Sequence, residues 1–160
     1  DKCITCGKCV SACPRGIITM LPADSQVRLQ CHAMARGKEV RDACQMGCIG
    51  CGLCVKSCKF GAITLVNDLP VIDYDKCTGC GECARHCPRG CLWRDPDAKD
   101  RVAFIRENQC VGCGLCQKAC KFDAIAGENR DKRVVDPTRC VGCGECQRAC
   151  RLDAVAMIEK

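Results

Sequence analysis

Cys110-Val111-Gly112-Cys113-Gly114-Leu115-Cys116-Gln117-Lys118-Ala119-Cys120 spaces four cysteines as Cys-x2-Cys-x2-Cys-x3-Cys, and this spacing decides what organises the chain. The same run occurs four more times: at Cys3, Cys6, Cys9, Cys13; at Cys48, Cys51, Cys54, Cys58; at Cys77, Cys80, Cys83, Cys87; and at Cys140, Cys143, Cys146, Cys150. A glycine follows the second Cys in all five, namely Gly7, Gly52, Gly81, Gly114 and Gly144. Glycine lets the backbone reach positive φ, pass close to whatever the thiols hold and turn amide groups towards sulfur. From third to fourth Cys, segments such as Cys54-Val55-Lys56-Ser57-Cys58 read as one helical turn. Lys56, Arg85, Lys118 and Arg148 lie mid-turn, where a solvated face accounts for them.

The 160 residues include 23 cysteines, whereas Leu, Ile, Val and Phe together number 32 and aromatics five. So little apolar surface argues for several small units, each stapled separately, rather than one core. The staples are not disulfides: the Cys count is odd, and 20 of the 23 fall in the repeated run. Four-cysteine zinc sites use two CxxC knuckles across a longer loop and give no reason for a third and fourth Cys at these spacings. The run is that of bacterial [4Fe-4S] sites. No βαβ pattern surrounds any CxxC, which sets aside a thioredoxin-like dithiol.

Formal charge is +6 with neutral thiols. An oxidised [4Fe-4S] core with four thiolates carries two negative charges, so five of them bring the chain to about −4. The basic residues then balance cluster charge, and with few aromatics for base stacking the chain has no nucleic-acid signature. The longest uncharged run, 43–55, is too short for a membrane helix. Outside the cysteines and the surface acids and bases there are only His32, His86 and one Tyr, with no nucleophile and base set, so no catalytic residue is assigned.

In two-cluster ferredoxins the fourth Cys of the run serves the other cluster, so motifs work in pairs. From fourth Cys to next first Cys the steps are 35, 19, 23 and 20 residues. The near-equal steps Cys58 to Cys77 and Cys120 to Cys140 favour pairing the second motif with the third and the fourth with the fifth, whereas the rival scheme, first with second and third with fourth, needs two unequal steps. Within those steps, residues 62–66 and 71–73 flank Asn67-Asp68 as a hairpin, and 123–125 with 134–136 repeat it. Residues 26–30 read as a strand and Gly37–Ala43 as a short helix.

The paired units resemble bacterial-type 2[4Fe-4S] ferredoxins, including Cys13-Pro14 and Cys87-Pro88; Lys59, Lys121 and Arg151 stand where Pro would close the other motifs. A more specific resemblance covers residues 1–90. Cys13-Pro14-Arg15-Gly16-Ile17-Ile18, Leu21-Pro22, Cys31, Gly37-Lys38, Cys44-Gln45-Met46-Gly47-Cys48-Ile49-Gly50-Cys51 and Val71-Ile72-Asp73-Tyr74-Asp75-Lys76-Cys77-Thr78 are similar to the ferredoxin region of the B subunits of Rnf electron-transport complexes. That family carries electrons between reduced ferredoxin and NAD in a membrane complex that pumps ions.

The resemblances imply an α+β fold of tandem 2[4Fe-4S] ferredoxin-like units: a half unit at 1–20, an insert with Cys31 at 21–43, and two-cluster units at 44–95 and 96–160. Five clusters are expected, four at minimum, on the twenty motif cysteines, with Cys31 and Cys44 as possible extra ligands and Cys91 as a buried thiol. In this scheme Cys58 serves the Cys77, Cys80, Cys83 cluster and Cys87 that of Cys48, Cys51, Cys54; Cys120 and Cys150 cross over likewise. The expected role is a non-catalytic relay of single electrons at the cytoplasmic face of a bacterial inner membrane. The expected partners are the other subunits of the redox complex and soluble ferredoxin as donor. A stand-alone polyferredoxin, or a cluster subunit of another oxidoreductase, is the alternative. The first motif lacks a partner motif, so the chain is expected to be part of a longer subunit whose upstream half completes that pair, with Cys31 or Cys44 the nearby substitute.

Overall fold

Each Cys-x3-Cys segment winds into a single helical turn because the glycine before it sits in left-handed backbone, with φ between 72° and 78°. These turns are α1 (Lys8–Ala12), α3 (Leu53–Ser57), α4 (Glu82–Arg85), α5 (Leu115–Ala119) and α6 (Glu145–Ala149), with α2 (Gly37–Ala43) where the sequence places a helix. After α1, α3, α5 and α6 the fourth Cys is itself the extended cap that ends the turn. The computed structural model describes residues 3–33, 35–96, 100–128 and 130–159.

Among the described residues, eight short strands form four antiparallel pairs. Two are the hairpins legible in sequence: β2 (Ile63–Val66) with β3 (Leu69–Ile72), and β6 (Ile125–Ala126) with β7 (Val134–Val135). Asn67 and Asp68 both adopt positive φ, the two-residue turn whose twist suits a hairpin. The remaining pairs are long-range. β1 (Val27–Leu29) pairs with β4 (Leu92–Arg94), and β5 (Arg101–Ile105) with β8 (Val155–Glu159). β1 is the strand expected at 26–30, and it lies in one sheet with residues beyond the third motif. β4, β5 and β8 have no counterpart in the sequence reading, because none shows a clean two-residue alternation; β5 buries Val102, Ala103 and Ile105 together.

Each long-range pair closes a unit around two motifs. Val27, Cys54, Ile63, Cys83 and Leu92 form one buried cluster, and Ala103, Ile105, Cys116, Ile125, Cys146 and Val155 the other. In each, the third cysteines of two motifs sit among the aliphatic residues. Tyr74 fastens the first unit by donating its hydroxyl to the Val27 carbonyl at 3.2 Å. Trp93, expected beneath a hairpin, instead lies in β4 opposite Arg28, whose guanidinium stacks 4.0 Å from the ring centre. The first motif has no such core among the described residues: Cys3, Cys6 and Cys9 are exposed, α1 buries no residue, and Ile4 is 81% exposed.

Candidate metal centres

Three hollows are rimmed by cysteines. Cys48, Cys51, Cys54 and Cys87 line the first, Cys120, Cys140, Cys143 and Cys146 the second, and Cys110, Cys113, Cys116 and Cys150 the third. In each, three cysteines of one motif meet the fourth cysteine of another. The remaining set follows the same rule. Burial raises the Cys77 and Cys83 thiols, and Cys58 lies near enough to disfavour their ionised forms further. Cys83 and its counterpart Cys146 are pushed up to about 12, by burial first and by neighbouring thiols second. Such thiols stay neutral until a metal displaces their protons.

Each rim offers a donor set made of thiols. Among the described residues no three His, Cys, Asp or Glu side chains converge to hold a single metal. Four-cysteine zinc sites draw on two CxxC knuckles, whereas three cysteines of one Cys-x2-Cys-x2-Cys run with the fourth cysteine of another are the donor set of a [4Fe-4S] cluster. The residues therefore fit [4Fe-4S] groups, each of which, when bound, takes up and releases one electron. Backbone amides already point at the crossing sulfurs: Ala62 N donates to Cys58 Sγ at 3.4 Å and Ala124 N to Cys120 Sγ at 3.3 Å. Hydrogen bonds of this kind are among the determinants of cluster potential.

At the first motif the structure brings no fourth cysteine of another motif to Cys3, Cys6 and Cys9 among the contacts described. Cys13 is held below the usual thiol range by the amides of Ile17 and Arg15, then Gly16 and Ile18. The sulfur of Cys31 is buried and accepts from Cys48 N at 3.3 Å, which places it behind the Cys48 loop. Cys44 is exposed, its carbonyl accepting from Arg89 Nη2. Cys91 is 3% exposed and its sulfur lies 3.4 Å from Cys87 Sγ, a fifth cysteine on that rim. Burial and the Cys87 contact raise the Cys91 thiol.

Two features escape the sequence reading. Arg133, 9% exposed, lines the Cys110 hollow and donates to the Gly112 carbonyl at 3.2 Å. Asp136 N and Asp73 N bond Ala124 O and Ala62 O respectively, so Arg133 is equivalent to Pro70, which lines the Cys48 hollow. A buried cation at one of two otherwise matching sites favours the more reduced, more negative state there. The second feature is a glycine just before the second Cys, at Gly50, Gly79, Gly112 and Gly142, all at φ between 67° and 69°. The repeated Gly-Cys-Gly is its signal in the sequence, and in the first motif Thr5 takes the same left-handed backbone at φ 54°.

Gly112 and Gly144 separate strain from crowding. A Cβ on Gly112 would overlap the Arg130 carbonyl, which is backbone and cannot swing away, whereas one on Gly144 meets nothing within 4 Å. Gly144→Ala should cost roughly 1–2 kcal/mol from left-handed backbone alone. Gly112→Ala should cost clearly more and release iron from the Cys110 site at lower denaturant concentration. Equal denaturation midpoints for the two variants would show that the close approach does not matter.

The profile of the 4Fe-4S dicluster domain family matches residues 2–62, 47–91 and 76–124, and a second dicluster profile matches 103–157. The matches take every neighbouring pair of motifs in turn and so do not choose between pairings. Over 107 residues, 67% of this chain, the sequence is 45% identical to the B subunit of the Na(+)-translocating ferredoxin:NAD(+) oxidoreductase complex of Acetobacterium woodii. That match spans 32% of the length of the relative. A chain in the formate dehydrogenase, heterodisulfide reductase and formylmethanofuran dehydrogenase complex of Methanospirillum hungatei aligns at 23% identity and a TM-score of 0.32, covering 69% of this chain and 52% of that one. With five cysteine runs, four-thiol rims and profile matches that together reach from residue 2 to residue 157, the chain belongs to the 4Fe-4S dicluster domain family.

Proposed function

We propose that the chain relays single electrons through five [4Fe-4S] clusters as part of an Rnf-type ferredoxin:NAD oxidoreductase. The observation that carries this reading is the crossing of fourth cysteines: Cys87, Cys120 and Cys150 each rim a hollow built by another motif. Two sites per unit, joined through shared loops, suit transfer between them.

The ligand sets are Cys48, Cys51, Cys54 with Cys87; Cys77, Cys80, Cys83 with Cys58; Cys110, Cys113, Cys116 with Cys150; and Cys140, Cys143, Cys146 with Cys120. Cys3, Cys6 and Cys9 supply three corners of the fifth, with Cys31 or Cys44 the nearby candidates for its fourth. The chain divides at 1–20, 21–43, 44–95 and 96–160, with β1 of the second stretch completing the sheet of the third. The 45% identity to the relative from Acetobacterium woodii supports placement among the other subunits of such a complex, at the cytoplasmic face, with soluble ferredoxin as donor. No helix among the described residues is long and apolar enough to cross a membrane.

Mixing the reconstituted chain anaerobically with reduced bacterial ferredoxin tests the role. The iron-sulfur absorbance of the chain should bleach in one-electron steps and recover on addition of a higher-potential acceptor, with no other substrate needed. A chain whose clusters stay oxidised in the presence of excess reduced ferredoxin would overturn the donor assignment.

A further inference from the structure

Cys58-Lys59-Phe60 and Cys120-Lys121-Phe122 are equivalent segments in the two units, and both replace the Cys-Pro of the ferredoxin pattern. In the folded chain they meet. Lys59 Nζ donates to the Lys121 carbonyl at 2.5 Å, and Lys121 Nζ donates to the Lys59 carbonyl at 3.0 Å. The same two ammonium groups lie over the opposite rings, Lys59 at 4.4 Å from the Phe122 centre and Lys121 at 4.6 Å from that of Phe60. The rings themselves are 6.1 Å apart, tilted by 40°.

Each residue makes the contact that its equivalent makes, which is the signature of a two-fold interface. Proline at either position has no side-chain donor and no ammonium to place on a ring. The substitution of Lys for Pro therefore has a structural use at these two positions, and it is a use between units rather than within one.

We propose that Lys59, Phe60, Lys121 and Phe122 form a clasp that sets the Cys58 site against the Cys120 site and makes this contact the route for electrons between the two units. The proposal rests on the cluster reading above. Cys58 belongs with Cys77, Cys80 and Cys83, and Cys120 with Cys140, Cys143 and Cys146, so the sites brought together are those of the third and fifth motifs. Chain order alone would join the third to the fourth, through the link from Cys87 to Cys110. In the transfer one electron leaves the reduced site of Cys58, which is oxidised by one unit, and enters the oxidised site of Cys120, which is reduced by one. No bond or proton moves. A low-potential one-electron donor, dithionite in the test, supplies the electron.

The test compares the whole reconstituted chain with Lys59→Gln/Lys121→Gln and, separately, Phe60→Leu/Phe122→Leu. Iron content is measured first. Two readouts follow: magnetic interaction between reduced clusters by electron paramagnetic resonance, and radius of gyration by small-angle scattering. The interaction within a unit is common to all variants, so the difference from the unaltered chain reports the contact between units. Both variants should keep their iron, lose part of the interaction and expand. Lys59→Arg/Lys121→Arg, which retains donor and ring stacking, should restore the unaltered spectrum and radius.

Lys56→Gln/Lys118→Gln removes the same charge from the adjacent turns and should change neither readout. If the Gln pair loses iron, the Leu pair and the Arg pair decide the matter. Unchanged interaction and radius in the Leu pair, or equal loss in the Lys56 and Lys118 control, overturns the clasp. An unaltered chain without iron or a paramagnetic signal would instead overturn the cluster reading.

Discussion

Stripping iron and sulfide from the chain should abolish its native circular dichroism and leave it open to rapid proteolysis. The five motif helices have four or five residues each, far below the length at which an isolated helix persists in water. Every sheet among the described residues has two strands, and an isolated pair is marginal on its own. The cores offer no compensation. Each buried cluster of five or six residues includes two cysteines assigned as ligands, and Val27 is the large side chain closest to complete burial among the described residues. Two members of each small core are thus tied to cluster binding, which is expected to supply most of the folding free energy, as metal does in other small metallo-domains. An apo-chain with native-like dichroism and protease resistance would mean that apolar packing suffices.

The second large effect concerns which cysteines act together. If Cys120 and Cys143 hold one cluster, Cys120→Ser and Cys143→Ser should each remove about four iron atoms per chain. The double variant should remove no more than either single one, since both act on the same site. Cys120→Ser with Cys113→Ser should remove about eight, although Cys113 and Cys120 belong to the same sequence motif. Additive loss for Cys120 with Cys143, and shared loss for Cys120 with Cys113, would return each motif to serving its own cluster.

The sequence makes the local part of this architecture readable. Cys-x3-Cys preceded by glycine sets a one-turn helix, and Asn67-Asp68 between Ile63–Val66 and Leu69–Ile72 sets a hairpin, because a few adjacent dihedrals decide both. What is not local is not readable. The pairing of β1 with β4 joins residues 27 and 94, and that of β5 with β8 joins 101 and 159. These strands carry three to five residues each, and too little alternation to announce themselves.

The same limit applies at the candidate sites. The motif cysteines are evident from spacing, but Arg133 looks like any surface arginine until the hairpin turns it into the Cys110 hollow. The lysines after Cys58 and Cys120 read in sequence as mere departures from Cys-Pro; their reciprocal contact depends on how the two units meet. The buried Cys91 is legible in sequence as a thiol without a motif, and its place on the Cys48 rim only from the fold.

Iron, acid-labile sulfide and zinc measured together on anaerobically prepared protein test most directly whether cluster-bearing cysteine runs build this chain. The expected result is about 20 iron and about 20 sulfide per chain, four of each for every run, without stoichiometric zinc. Stoichiometric zinc with no labile sulfide, or iron sufficient for fewer than four clusters, would contradict it.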